Sequence, residues 1–233
     1  NGITDWVYEE EFAVTNLMAW SPDSEYLAFV RFDESEVPEY SMQMYGEGLY
    51  PGYYEYKYPK AGQKNSKVSV HSYSVVTKDT KEMKVPVEGD FYIPRITFTQ
   101  NPDQLAIMTL NRQQNVFNMY YANPKSGVFR LILREENKCY VDSDWLTSIQ
   151  FLNNGFTYVS EQDGYSHIYL YSPTGVMQRQ VTQGNWDVTK FLGVDENTKT
   201  FYYESAEESP IRRSIYKIDA KGVKTKLSTE EDR

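Results

Sequence analysis

Ser148-Ile149-Gln150-Phe151-Leu152-Asn153-Asn154-Gly155-Phe156-Thr157-Tyr158-Val159-Ser160 decides the fold. Aromatic and β-branched residues, which suit a pleated sheet, stand on both sides of Asn153-Asn154-Gly155. Asn and Gly tolerate the backbone of a tight turn. The stretch therefore predicts strand, turn, strand. The same unit recurs outward in both directions. Arg95-Ile96-Thr97-Phe98 meets Gln100-Asn101-Pro102-Asp103 and then an apolar run at 105–110. Residues 17–20 meet Ser21-Pro22-Asp23-Ser24 and then 26–32. Residues 191–194 meet a turn around Glu196-Asn197 and then 200–204.

Each unit continues into two further strand-like segments. These are 67–76 and 83–87 for the first, 115–122 and 128–133 for the second, 167–171 and 178–182 for the third, and 214–218 and 224–227 for the fourth. In 67–76, Val68, Val70 and Tyr73 are expected to share a face. The turns at Asn154 and Asn197 lie about 43 residues apart and those at Pro102 and Asn154 about 52, close to the ~40–50 residues of a propeller blade. The expected fold is all-β, a β-propeller of four-stranded antiparallel blades with a short acidic helix near the N-terminus. Residues 1–233 form a partial propeller domain with blade repeats at roughly 14–90, 91–140, 145–186 and 188–229, about four blades of a larger ring. A β-sandwich is the rival, but its strands would not repeat in fours.

Pro22 and Pro102 are about 80 residues apart, so the first unit carries an insertion, at 38–66. It is rich in tyrosine (Tyr40, Tyr45, Tyr50, Tyr53, Tyr54, Tyr56, Tyr58) and punctuated by Gly46, Gly48, Pro51 and Gly52. An extended hairpin arm that covers something or joins a partner is expected, against the alternative of a floppy loop.

The chain has 233 residues and a net charge of −9. That charge argues against nucleic acid and anionic membrane surfaces as partners, and suits a cationic or amine-bearing one. No apolar run approaches the ~20 residues of a membrane-spanning helix. Asn1 is not a start methionine, and the chain reads as a piece of a longer protein. Cys139 is the single cysteine, so no internal disulfide is possible, and a buried thiol is expected.

Asp5-Trp6-Val7-Tyr8-Glu9-Glu10-Glu11 places three carboxylates behind two aromatics. Thr4 or Asp5 can cap a short helix here, and the helix dipole favours acidic residues in its first turn. Successive side chains diverge by about 100°, so at most two of the three carboxylates can converge on one ligand. Two converging carboxylates are good acceptors for a protonated amine. A solvated acidic turn is the alternative.

Other chemistry is sparse. There is no Gly-x-Ser-x-Gly elbow, no Cys/His cluster suited to zinc, no calcium loop and no phosphate-cradling glycine loop, so no metal or cofactor is expected. His71 and His167 read as packed or edge residues. Glu135-Glu136, Glu207-Glu208 and Glu230-Glu231 read as solvated pairs. Arg212-Arg213 could contact a substrate carboxylate, on weak grounds.

The run from Asp5 to Glu11 resembles the glutamate motif of the dipeptidyl peptidase IV branch of the prolyl oligopeptidase family of serine peptidases. Trp20-Ser21-Pro22-Asp23, Glu36-Val37-Pro38 and Tyr58-Pro59-Lys60-Ala61-Gly62 fall in that family's order. So do Asp163-Gly164-Tyr165-x-His167-Ile168-Tyr169 and Thr182-x-Gly184-x-Trp186-Asp187-Val188. The resemblance covers essentially the whole chain. It implies an eight-bladed propeller joined to a C-terminal α/β-hydrolase domain that is absent here along with its triad, so no catalytic residue is assigned in this chain. It implies that Glu10 and Glu11 bind the free N-terminal amine of a peptide from which X-Pro or X-Ala dipeptides are released. It also implies homodimerisation through the 38–66 arm. The lone cysteine fits a bacterial member, hence a periplasmic or envelope location. A non-catalytic interaction propeller, or an acyl-peptide hydrolase or oligopeptidase of the same architecture, remains the alternative.

Overall fold

A computed structural model describes residues 1–229. The chain opens with a helix, α1 (Trp6–Glu11), and continues as strands with one 3-10 turn at Ser143–Ser148. β1 (Met18–Trp20), β2 (Tyr26–Asp33), β5 (Lys67–Ser74) and β6 (Thr80–Met83) form the first sheet. Between β2 and β5 the chain leaves to make a separate two-stranded sheet of β3 (Glu39–Met44) and β4 (Gly52–Lys57). β7 (Phe91–Phe98), β8 (Leu105–Asn111), β9 (Val116–Ala122) and β10 (Phe129–Glu136) form the second. β11 (Gln150–Leu152), β12 (Gly155–Ser160), β13 (His167–Tyr171) and β14 (Met177–Gln180) form the third. β15 (Val188–Asp195), β16 (Thr200–Ser205), β17 (Ser214–Ile218) and β18 (Lys224–Lys226) form the fourth. Apart from the β3–β4 excursion between β2 and β5, each four-stranded sheet has its strands side by side in chain order, the blade pattern of a propeller.

The chain divides into two compact units, one of Asn1–Gln113 with Met119–Leu131, the other of Gln114–Asn118 with the residues from Ile132 onward. In the first, β2 and β5 pair over eight residues from Tyr26↔Ser74 to Asp33↔Lys67. The turn before β2 is built by its own side chains. Ser21 Oγ donates to Asp23 Oδ1 at 2.5 Å and accepts from Tyr26 N–H at 2.9 Å. In the second unit, Val159, Ile168, Phe191, Phe201 and Tyr203 belong to one core cluster, and Leu170 and Val194 pack against it. β12 is buried along its whole length, on both faces, so it shows no in-out alternation.

Two motifs meet at the join between the third and fourth sheets. His167 is fully buried on β13, and its ring nitrogens bond Thr182 Oγ1 at 3.1 Å and the Gly184 carbonyl at 3.0 Å. Trp186 packs edge-on against the imidazole at 4.9 Å, and Ser166 N–H donates to Asp187 Oδ1 at 2.9 Å. Gly184 has φ +143, and a Cβ there would sit 2.2 Å from Trp186 Nε1. The Thr182-x-Gly184-x-Trp186-Asp187 spacing is thus a clamp around a structural histidine.

Several expectations need correction. The last strand of the first sheet is the polar Thr80–Met83, not 83–87, because Pro86 has no N–H to give a ladder. On β5 the more buried face carries Val70, Ser72 and Ser74, while Tyr73 lies on the other. Ser72 is tolerated inside because its hydroxyl donates to the Pro124 carbonyl at 2.8 Å. Ser148 closes the 3-10 turn and does not belong to a strand. Cys139 is exposed, in the loop after β10. Glu135 is half-buried and accepts from Ser160 Oγ at 2.9 Å, and burial raises its pKa. Glu207 is also largely covered and ion-paired with Lys224. Glu230-Glu231 lies outside the described residues.

Candidate functional site

The acidic motif forms a helix because Asp5 caps it. Asp5 has an extended backbone, and its Oδ1 accepts from Tyr8 N–H at 3.0 Å, satisfying one of the orphan donors of the first turn. Its Oδ2 accepts from Ser66 Oγ, at the start of the chain's return into the first sheet. Both oxygens of Asp5 are therefore engaged, and the side chain is buried. The helix ends after one and a half turns, where Ala13 takes the left-handed conformation at φ 51 and Val14 N–H donates back to the Tyr8 carbonyl at 3.2 Å.

A six-residue helix has too few hydrogen bonds to persist alone. Tyr8 holds it in place. Its ring, 2 % exposed, meets Phe32 at 4.8 Å, Phe12 at 5.3 Å and Tyr92 at 6.0 Å. Its hydroxyl accepts from the backbone N–H of Ile93 at 2.7 Å. Burial raises the phenol's pKa far above its ordinary value, so it stays neutral. Tyr92 is itself fixed by Asn65 Nδ2, which donates to its hydroxyl at 2.8 Å. On the other flank Trp6 packs on Tyr58 with ring centroids 4.2 Å apart. The 5–11 and 58–62 motifs thus come together, the second fixing the first.

Glu9, Glu10 and Glu11 are all exposed. From Tyr8, which faces the interior, the 100° helical step turns Glu10 about 200° and Glu11 about 300° around the axis. Glu10 therefore leaves away from Tyr8, on the face that Trp6 occupies four residues earlier, with Glu11 about 100° further round, on a backbone pinned from three directions. Such an arrangement can accept hydrogen bonds from a cation with several donors. Among the described residues no group of His, Cys, Asp or Glu is arranged to hold a metal ion.

The anchors Tyr92, Ile93 and Ser66 carry no sequence signal for this role; they lie far along the chain and are supplied by tertiary packing. Arg212 and Arg213 belong to the second unit. They sit exposed in the turn between β16 and β17, where Arg213 Nη1 donates to the carbonyls of Pro210 at 3.0 Å and Arg212 at 3.2 Å.

The hairpin of β3 and β4 is paired from Glu39↔Lys57 to Met44↔Gly52. Tyr40, Tyr54, Tyr56 and Tyr58 form a chain of ring contacts at 5.4–6.0 Å. The tip is bare: Tyr45 is 80 % exposed, Tyr50 88 % and Leu49 98 %.

A family described as "Dipeptidyl peptidase IV (DPP IV) N-terminal region" matches residues 1–233. The dipeptidyl peptidase 4 of Arthroderma otae is 32% identical over 237 residues, covering 94% of this chain and 30% of the relative. Dipeptidyl-aminopeptidase B of Aspergillus niger is 29% identical, covering 98% of this chain and 28% of its own length. Among solved structures, that of Porphyromonas gingivalis dipeptidyl peptidase 4 is 63% identical with a TM-score of 0.95, covering 98% of this chain and 33% of that one. The chain spans about a third of the length of these relatives.

Proposed function

The chain belongs to the family of the dipeptidyl peptidase IV N-terminal region, and on that premise we propose that it is the propeller portion of a serine-type dipeptidyl peptidase in which Glu10 and Glu11 bind the substrate's free N-terminal ammonium. The single observation that carries the reading is the pinned helix. Asp5, Tyr8 and Trp6 are spent on fixing the backbone, and the glutamates beyond them are exposed on a rigid support.

An ammonium offers three donors and a full charge, and paired carboxylates match both. Held at a fixed distance from a reacting serine, they would measure two residues from the N-terminus to the scissile bond, which is positioning used as a ruler. X-Pro and X-Ala peptides are the proposed substrates. A blocked amine would leave the carboxylates desolvated without a cation, so acylated peptides are rejected. Cleavage is assigned to a C-terminal α/β-hydrolase domain of the same parent protein, in a periplasmic or envelope setting.

The 38–66 arm is proposed as a homodimer contact. A lone two-stranded hairpin is marginal in water, and exposed tyrosines of this density suit a protein interface. The test of the substrate reading is turnover of glycyl-prolyl p-nitroanilide against its N-acetyl form by the parent protein. Turnover of the free amine alone is expected; equal rates on both would refute the reading.

A further inference from the structure

Between the third and fourth sheets, wholly within the second unit, lies a cavity of about 290 Å³ far along the chain from α1. One part of its wall is apolar, formed by Leu152, Leu170, Val194 and Phe201. Leu170 and Val194 pack against the buried core cluster to which Phe201 belongs, so the wall is preformed. Its polar lining includes two cations and one carboxylate, Arg179, Lys199 and Glu196. The carboxylate is already engaged, because Glu196 Oε2 accepts from Asn153 N–H at 2.8 Å and from Asn153 Nδ2 at 3.0 Å. Arg179 Nη1 donates to the carbonyl of Ala220, another lining residue, at 3.2 Å, which holds the guanidinium in the lining. Lys199 stands in the β15–β16 turn with φ 54 and is exposed.

We propose that this cavity binds a small apolar carboxylate, its acid group between Arg179 and Lys199 and its hydrocarbon against Leu170 and Phe201. Counting Glu196, the two cations leave the lining with a net charge of about +1 in a chain whose net charge is −9, so the preference for an anion belongs to the site and not to the surface at large. Guanidinium and ammonium together give a carboxylate charge-assisted hydrogen bonds. The volume lies just below the ~300–1,000 Å³ of drug-sized sites, which suits a ligand of one residue's size. Two sources share this chemistry: a free aryl or alkyl acid, and the C-terminal residue of a peptide.

The test is titration of the ¹⁵N-labelled protein with 3-phenylpropionate, N-acetylphenylalanine and N-acetylphenylalaninamide, followed by amide shifts at residues 152–154 and 194–201. None of the three carries a free amine, so the outcome does not depend on Glu10 or Glu11. The acids are expected to bind with a Kd of about 1 mM, and the carboxamide at least ~10-fold more weakly. Binding of 3-phenylpropionate only would assign the free-acid source; binding of N-acetylphenylalanine would assign the peptide end. Lys199→Gln and Arg179→Gln are each expected to weaken acid binding ~3–10-fold with the wild-type amide spectrum retained elsewhere. Equal affinity for acid and carboxamide, wild-type affinity in both variants, or no shifts with either acid up to ~50 mM would overturn the proposal.

Discussion

Tyr8→Phe removes one oxygen and keeps the ring that packs on Phe12, Phe32 and Tyr92. The oxygen accepts the Ile93 N–H at 2.7 Å, and Ile93 is completely buried. No water reaches that donor when its acceptor is gone. Stranding a buried donor costs ~1–3 kcal/mol, more than the ~0.5–1.5 kcal/mol net worth of an ordinary hydrogen bond. For a chain of this size the melting temperature should fall ~2–12 °C. In urea the midpoint should drop with the slope unchanged, since the surface exposed on unfolding is the same. Hydrogen exchange at Ile93 gives the local reading: its protection should fall, and with it that of Tyr8 N–H, which the Asp5 cap holds. Tyr92→Phe, which loses only the part-buried bond from Asn65, should cost less. A Tyr8→Phe protein with wild-type stability and unchanged exchange at Ile93 would refute the claim that this bond pins the helix.

Gly184→Ala should destabilise by ~1–3 kcal/mol, read in urea, because its Cβ would meet the Trp186 indole at 2.2 Å and its φ of +143 is a conformation that L side chains rarely adopt. The burial-raised pKa of Glu135 means that its neutral form suits the fold. The associated stability is full below the ordinary glutamate pKa and is lost as pH rises through the raised value. Glu135→Gln should therefore flatten the fall in stability as pH rises above about 4, measured by urea midpoints across a pH series. Glu36 behaves oppositely. Lys64 and Lys67 lower its pKa to about 2, so its contribution is present above the ordinary value and is lost as pH falls toward 2, and Glu36→Gln should remove that acid-limb slope. On the proposal that the 38–66 arm joins two copies, replacing residues 41–55 by a short Gly-Ser link should lower the sedimenting mass of the parent protein from that of a dimer to that of a monomer; an unchanged mass would refute the arm's role.

The sheets were legible because their strands advertise themselves. Phe156-Thr157-Tyr158-Val159 after Asn153-Asn154-Gly155, and the equivalent runs at 105–110 and 200–204, carry apolar content and turn residues in register. The outermost strand of the first sheet did not, because Thr80-Lys81-Glu82-Met83 is mostly exposed and polar. On β5 the sequence groups Tyr73 with Val70, whereas Ser72 shares that face, because satisfaction of its hydroxyl by a carbonyl 52 residues away leaves no trace in local hydropathy. Glu135 looked solvated for the same reason: Ser160, which covers it, is 25 residues on. At the candidate site the cap and the helix were readable from Asp5 and the three glutamates. Their rigidity was not, since it depends on an Ile93 N–H that lies 85 residues from Tyr8.

Glu10→Gln and Glu11→Gln keep size and polarity and remove the charge, so they address the ammonium grip with the helix intact. The deciding quantity is the ratio of kcat/KM for glycyl-prolyl p-nitroanilide to that for its N-acetyl form, measured for the parent protein and each variant. A hydrogen bond to a charged group is worth ~1.5–3 kcal/mol, so each variant should lose about one to two orders of magnitude in that ratio. Wild-type ratios in both variants would contradict the assignment of Glu10 and Glu11 as the receptor for the substrate's amine.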